Sequence, residues 1–399
     1  MRIARHASAA FAALLFSACA TPPAPEPTPA KAQAAIAAIE TALTPRFTLD
    51  ENSRPPRGPA TLTAEMQRLR VPAVSIALVE GGRVVWAKAY GLADVAANRA
   101  ATPDTLFQAA SISKPLTAIA AMRMVERGQL SLDEDVNTRL TSWKLPPSDF
   151  TRTKPVTLRL ILSHSAGLQP SGFLGYRQGL SIPTVPQVLD GLVPANSPPV
   201  RSFAEPGSEF RYSGGGYTIA QQLMADVSGR SFSALMGDLV LRPAGMTHST
   251  FEQPLPERLA STAAFGYRQP DQPIVGRWHA YPELAAAGLW TTPSDLGRLG
   301  IAFSAAWSGQ SSQLLQQQSA RTMMIQGAGA YGLGWNVGFQ GREGPTVISH
   351  AGGNEGYRSV LYMWPELGQG IVIMTNSDNG DMLWREILAA AAAAYDWAP

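Results

Sequence analysis

Ser111 and Lys114 are the two residues whose types and spacing best suit covalent chemistry. A serine hydroxyl is a weak nucleophile until a base takes its proton. Lysine can be that base once burial and positive potential lower its pKa from about 10.4. Helical positions i and i+3 share a face, so Ser111-Ile112-Ser113-Lys114 brings hydroxyl and amine together. Pro115 fixes where that helix begins: lacking an amide hydrogen, proline is tolerated only in the first turn, so the helix starts close to Ser111. Free amides at a helix start favour developing negative charge. The chemistry this suits is acyl transfer, although an N-capping serine beside a solvated lysine has the same spelling. Lysine is scarce, with Lys31, Lys88, Lys144 and Lys154 the only others.

Two later segments supply partners. Phe210-Arg211-Tyr212-Ser213-Gly214-Gly215-Gly216-Tyr217 offers a phenol beside a glycine run, and His350-Ala351-Gly352-Gly353 closes a strand-like stretch. Tyr212 also fits an ordinary turn or core tyrosine, and His350 a strand-end histidine. The glycine run lacks the lysine and the strand–helix spacing of a phosphate loop. His164, His248 and His279 are scattered without a metal-ligand spacing and read as structural; neither a metal nor a cofactor is expected.

The elements that must hold these residues follow from periodicity. Val74 to Val79 and Arg83 to Tyr90 alternate about Gly81-Gly82 as a hairpin, and Ser113 to Val125 repeats at helical spacing until Gly128. Leu158–His164, Tyr217–Val227, Ser231–Leu241 and Ser294–Ala305 read as helices. Gly334–Val337, Thr346–His350, Tyr357–Met363 and Gly370–Thr375 read as strands, before a helix over Asp381–Tyr395. Strands at both ends with helices between them imply a mixed α/β (α+β) fold: an antiparallel sheet built from both chain ends, flanking helices and an inserted helical subdomain. A cleft between two such parts is a usual place for an active site.

Hydrophobic residues make up 45% of the chain and charged residues 16%, a globular balance. With net charge +2 and no Lys/Arg block, nothing suggests nucleic acid. Arg2, Arg5 and the apolar run Ala9 to Phe16 read as an export signal over residues 1–19. Phe16-Ser17-Ala18-Cys19 fits a lipobox with Cys19, the one cysteine, as the lipidated residue; cleavage after Ala20 in an A-x-A pattern is the alternative. Residues 20–60, rich in Pro and Ala, read as a tether, with a short helical stretch at Lys31 to Leu43. One domain, 61–399, follows. The expected location is the periplasm or cell envelope, with membrane contact only through the N-terminal lipid, and the expected state is a monomer.

Together these segments, with Phe107–Ala118, Val156–Leu168, Pro206–Tyr217 and Tyr331–Trp335, make the chain resemble the serine β-lactamase and penicillin-binding-protein superfamily from about Met66 to Ser377. The nearest likeness is to class C β-lactamases, D-alanyl-D-alanine carboxypeptidases and family VIII esterases. The resemblance implies Ser111 as the acylated nucleophile, Lys114 as its activating partner, Tyr212 as general base or proton shuttle, and His350-Ala351-Gly352 in place of a Lys-Thr-Gly element. It further implies an oxyanion hole from the Ser111 and Gly353 amides, with Gly214, Ala351 and Gly352 along the substrate. Gly214 stands for an asparagine whose amide holds a β-lactam or peptide side chain, and Ala351 for a threonine whose hydroxyl meets a carboxylate. Both changes remove recognition groups and leave the nucleophile. The expected activity is hydrolysis of an ester, amide or β-lactam, with esterase or D-Ala-D-Ala-type peptidase favoured over efficient β-lactamase. The alternative is a penicillin- or muropeptide-binding protein with little turnover.

Overall fold

The computed structural model describes residues 28–50, 52–268, 272–339 and 344–398. The signal segment, Cys19 and the first part of the expected tether lie outside these residues. The elements that matter to the site are helices α1 (Ala30–Thr41), α2 (Ser113–Glu126), α3 (Leu158–Leu162), α4 (Gly214–Ser228), α5 (Leu284–Ala287), α6 (Pro293–Ser308) and α7 (Gly380–Tyr395). The principal strands are β1 (Ala73–Glu80), β2 (Arg83–Asp94), β3 (Arg99–Ala100), β4 (Asn336–Phe339), β5 (Thr346–Asn354), β6 (Tyr357–Trp364) and β7 (Gln369–Thr375).

These strands form one antiparallel sheet in the order β4-β5-β6-β7-β1-β2-β3. β1 from the N-terminal side pairs with β7 from the C-terminal side, Val74 facing Thr375 and Ile76 facing Ile373, so both chain ends build the sheet as expected. Gly81 and Gly82 turn the β1–β2 hairpin with φ of 60° and 72°, values that suit glycine.

Alternation along β1 sends its side chains to two cores. Val74, Ile76 and Leu78 join Ile371 and Ile373 under α7, with Leu383, Ile387 and Ala391. Val79 joins Val372 and Met363 on the opposite side, with Leu296, Leu299 and Phe303 of α6. Helices α2, α3 and α4 belong to the long insertion between β3 and β4.

The helical stretch expected at Lys31 to Leu43 is present as α1, but it is packed on the domain and not part of an extended tether. Helix α1 packs along α7, and Ala32, Ala35, Ile39 and Leu43 are fully buried in the α7-side core. Leu43 and Ala60 exchange main-chain hydrogen bonds of 2.9 Å. Small alanines let the two helices approach closely, so this Ala-rich stretch becomes part of the domain.

Candidate active site

Ser111 lies in a single 3₁₀ turn, Ala110–Ile112, that runs directly into α2. Ala110 holds a left-handed φ of 49°, uncommon for a residue with a Cβ. The turn is fixed on several sides. Ser113 Oγ donates to Ala110 O (2.6 Å) and accepts from Leu289 N (3.0 Å), while Ala109 N donates to Leu289 O (2.9 Å). Ser359 Oγ on β6 donates to Ala109 O (3.0 Å). Gly352 lies in the same place: a Cβ there would come within 2.1 Å of Ala109 O and 2.6 Å of Ser359 Oγ. Glycine at 352 thus lets β5 press against the nucleophile turn.

Lys114 Nζ donates to Ser111 Oγ at 3.1 Å and to Ala286 O of α5 at 2.8 Å. It lies 4.8 Å from the Tyr212 ring centroid and 5.7 Å from that of Tyr217. The side chain is 2% exposed, and burial lowers its pKa to about 7.

Tyr212 immediately precedes α4. Ser213 caps that helix through Gly216 N (2.9 Å), so α4 begins at Gly214, three residues before the apolar pattern announces it. Burial pushes the Tyr212 phenol well above the ordinary tyrosine range, and the neighbouring Ser111 hydroxyl only partly offsets this. Lys114 over its ring does not make it a phenolate.

His350, on β5, is also buried. Its Nδ1 donates to Ala351 O (2.7 Å), so Nε2 is the acceptor for the Tyr331 hydroxyl (3.0 Å). Burial, with Lys114 nearby, lowers its pKa to about 3. A histidinium at this position, which would attract a substrate carboxylate, is therefore not what the structure provides. His350 is a neutral, fully bonded group that orients Tyr331.

β5 continues beyond the expected Thr346–His350 to Asn354. Along it Ala351 and Gly353 are exposed while His350 and Gly352 are buried, so the first pair faces the open side of the strand. Gly353 borders a groove of about 770 Å³ that is also lined by Phe173, Leu174, Tyr281, Arg177 and Arg358. Gly214 is buried: its N–H donates to Ser171 O (2.9 Å), and a Cβ would lie 3.0 Å from both Phe173 and Ser171 O.

Several participants were not singled out by sequence reasoning. His164, taken as structural, has its ring 4.2 Å from that of Tyr212. Tyr217 donates to Leu162 O (2.9 Å), and Ala286 contributes only a carbonyl. His164 and Tyr331 lie in two of the stretches that carry the resemblance, and that was the available signal. His248 faces other partners, its main-chain N–H donating to Asp295 Oδ2 at 2.7 Å, and His279 bonds Leu174 O and Glu355, each at 2.9 Å. Among the described residues, no three His, Cys, Asp or Glu side chains cluster in a way that would hold a metal.

An antiparallel sheet closed by both chain ends, an inserted helical subdomain, and a Ser-x-x-Lys pair at a helix start define the β-lactamase/transpeptidase-like class of fold. The chain belongs to the beta-lactamase family, whose model matches residues 60–395. Protein flp of Staphylococcus aureus (strain N315) is 26% identical over 328 residues, which cover 78% of this chain and 61% of that protein. Esterase EstB of Burkholderia gladioli is 30% identical over 259 residues, 62% of this chain and 64% of the esterase. The chain thus spans less than two thirds of the length of these curated relatives. Among solved structures, the octameric penicillin-binding protein homologue from Pyrococcus abyssi superposes with a TM-score of 0.65 at 25% identity, over 83% of this chain and 75% of that one.

Proposed function

We propose that this chain is a serine hydrolase that forms an acyl-enzyme at Ser111, with esters and D-Ala-D-Ala-type peptides favoured over efficient β-lactam turnover. The observation that carries the reading is the 3.1 Å contact between Lys114 Nζ and Ser111 Oγ in surroundings that lower the amine's pKa to about 7. Neutral Lys114 takes the hydroxyl proton as Ser111 Oγ bonds to the carbonyl carbon. Tyr212, protonated throughout, relays a proton to the departing alkoxide or amine. In the tetrahedral intermediate that precedes this departure the carbonyl oxygen carries negative charge between the Ser111 and Gly353 amides, where losing one donor typically costs about 3 kcal/mol; its collapse reforms the carbonyl as the leaving group goes. Water attacks the acyl-enzyme in the second half-reaction and restores Ser111.

The substrate preference rests on Gly214 and Ala351. The first lacks an amide for a substrate's acylamino group, and a Cβ there already crowds Ser171 O and Phe173 at 3.0 Å. The second lacks a hydroxyl for its carboxylate. The name of Esterase EstB is in keeping with this preference. Export with lipidation at Cys19 is part of the same proposal, tested by palmitate labelling of the native chain and of Cys19→Ser.

The decisive experiment incubates the protein with p-nitrophenyl esters, a D-Ala-D-Ala peptide and a chromogenic cephalosporin, and maps adducts by mass spectrometry. An acyl group on Ser111, turnover of ester or peptide, and loss of both in Ser111→Ala are expected. A stable adduct without turnover would instead favour the binding-protein reading. Undiminished turnover by Ser111→Ala would refute the assignment.

A further inference from the structure

The end of α3 and the segment before α4 meet around one residue. His164, left-handed at φ 56°, follows α3. Its main-chain carbonyl accepts the Arg211 N–H at 2.7 Å, and its ring Nδ1 accepts the Ser213 N–H at 3.0 Å. These donors are the residues immediately before and after Tyr212. The imidazole lies over the Tyr212 ring, centroids 4.2 Å apart and planes 35° from parallel. Tyr331 and Tyr217 enclose it further, at 4.8 Å and 5.1 Å.

The ring's own state is fixed by these contacts. Because Nδ1 accepts, the proton sits on Nε2, which is buried and has no hydrogen-bond partner among the described residues. Burial, Lys114 and His350 all hold its pKa well below the ordinary histidine value, so the Nδ1 lone pair stays available. Leu162 O, two residues earlier, accepts the Tyr217 hydroxyl (2.9 Å), so the α3 end receives three donors from the Tyr212–α4 segment.

We propose that His164 is the positioning residue for Tyr212: it clamps the chain on both sides of that residue and stacks on its ring, holding the phenol against Ser111. This role rests on the hydrolase reading above. Neither contact reaches a substrate, so His164 acts only through Tyr212. Misplacing a reacting group by about 1 Å can cost about 100-fold in rate.

Asparagine and glutamine separate this role from general packing. Asparagine places a carbonyl oxygen near the Nδ1 position and tolerates the left-handed backbone, whereas glutamine carries its amide further out. Phenylalanine keeps the ring and loses the acceptor. Each variant is made alone and with Tyr212→Phe in the full chain. Folding is checked by near-ultraviolet circular dichroism, and the readouts are ester kcat and KM and the rate of fluorophosphonate labelling of Ser111.

The expected results are a fall of about 100-fold in kcat for His164→Phe with KM within about threefold, and at least about tenfold higher kcat in His164→Asn than in His164→Gln. In the Tyr212→Phe background His164→Phe should cost less than about threefold in labelling rate, since neighbours acting as a unit are not additive. Equal rates for the Asn and Gln variants, or an undiminished cost of His164→Phe without the phenol, would overturn the role. If His164→Phe does not fold, the Asn–Gln comparison decides. Failure of the native protein to label at Ser111 would refute the hydrolase reading and this role with it. Labelled native protein with indistinguishable Asn and Gln variants would refute this role alone.

Discussion

Acylation of Ser111 should rise with pH as a single titration, because the amine that takes its proton must be neutral. Burial brings Lys114 from 10.5 to about 7, so about half the molecules carry a free amine at pH 7, against about one in 3,000 for an unperturbed lysine. The shift corresponds to about 5 kcal/mol between ammonium and amine. Log kcat/KM for an activated ester should climb with unit slope below about pH 7 and level off above it. Tyr212 stays protonated and His350 stays neutral over this range, since their pKa values move away from it in opposite directions. Glu283, which begins the turn into α5, is also pushed up to about 7 by burial, but the Lys114 shift comes from burial and not from this carboxylate. Glu283→Gln should therefore leave the profile in place.

The same shift governs stability with a definite sign. Between about pH 7 and 10.5 the unfolded chain holds a proton on Lys114 that the folded chain has released, so stability rises with pH across that window. Lys114→Met removes this burden and leaves Ala286 O without its donor, which costs about 1–3 kcal/mol. The variant should be inactive, more stable than the native chain at pH 6, and progressively less advantaged toward pH 10, by urea unfolding at each pH. A kinetic midpoint that stays near 10, or a Lys114→Met variant that still acylates, would refute the reasoning.

Gly352→Ala should disrupt both fold and activity, because its Cβ would lie 2.1 Å from Ala109 O; a loss of about 1–3 kcal/mol in urea unfolding is expected. Gly353→Ala is the control, since a Cβ there meets nothing closer than 3.6 Å, and its Tm should match the native value. Gly214→Asn restores the missing amide by name only. With Ser171 O and Phe173 at 3.0 Å it should lower Tm without raising cephalosporin turnover, and a clear rise in that turnover would contradict the substrate argument. Ile39→Ala should cost about 2–5 kcal/mol by urea unfolding, as expected of a fully buried side chain in α1; a spacer would give no change.

What could be read in advance depended on whether a feature is local. The Ser111–Lys114 pair, the hairpin at Gly81-Gly82 and the individual strands at the two chain ends follow from short-range rules: helical spacing, the limits on Pro115 and alternation of Val, Ile and Leu. The start of α4 was missed because glycine at its first three positions carries no apolar period, and a cap on Ser213 supplies the order instead. Helix α1 was legible as a short helical stretch, but its burial was not, because that depends on α7, more than 300 residues away in sequence. The charge states around the nucleophile were the least legible. The resemblance puts His350 in place of a lysine and makes Tyr212 a general base or proton shuttle, so a cation at 350 and a phenolate at 212 were the charge states to expect. Both expectations fail for one physical reason: the same dry, aromatic surroundings that free Lys114 of its proton also suppress charge on the groups beside it. A site that makes a neutral lysine cannot at the same spot keep a histidinium or a phenolate without bringing water or a counter-charge. At position 350 the lysine that the resemblance leads one to expect is thus replaced by a histidine that stays neutral, and the group touching Ser111 that titrates near neutrality is Lys114.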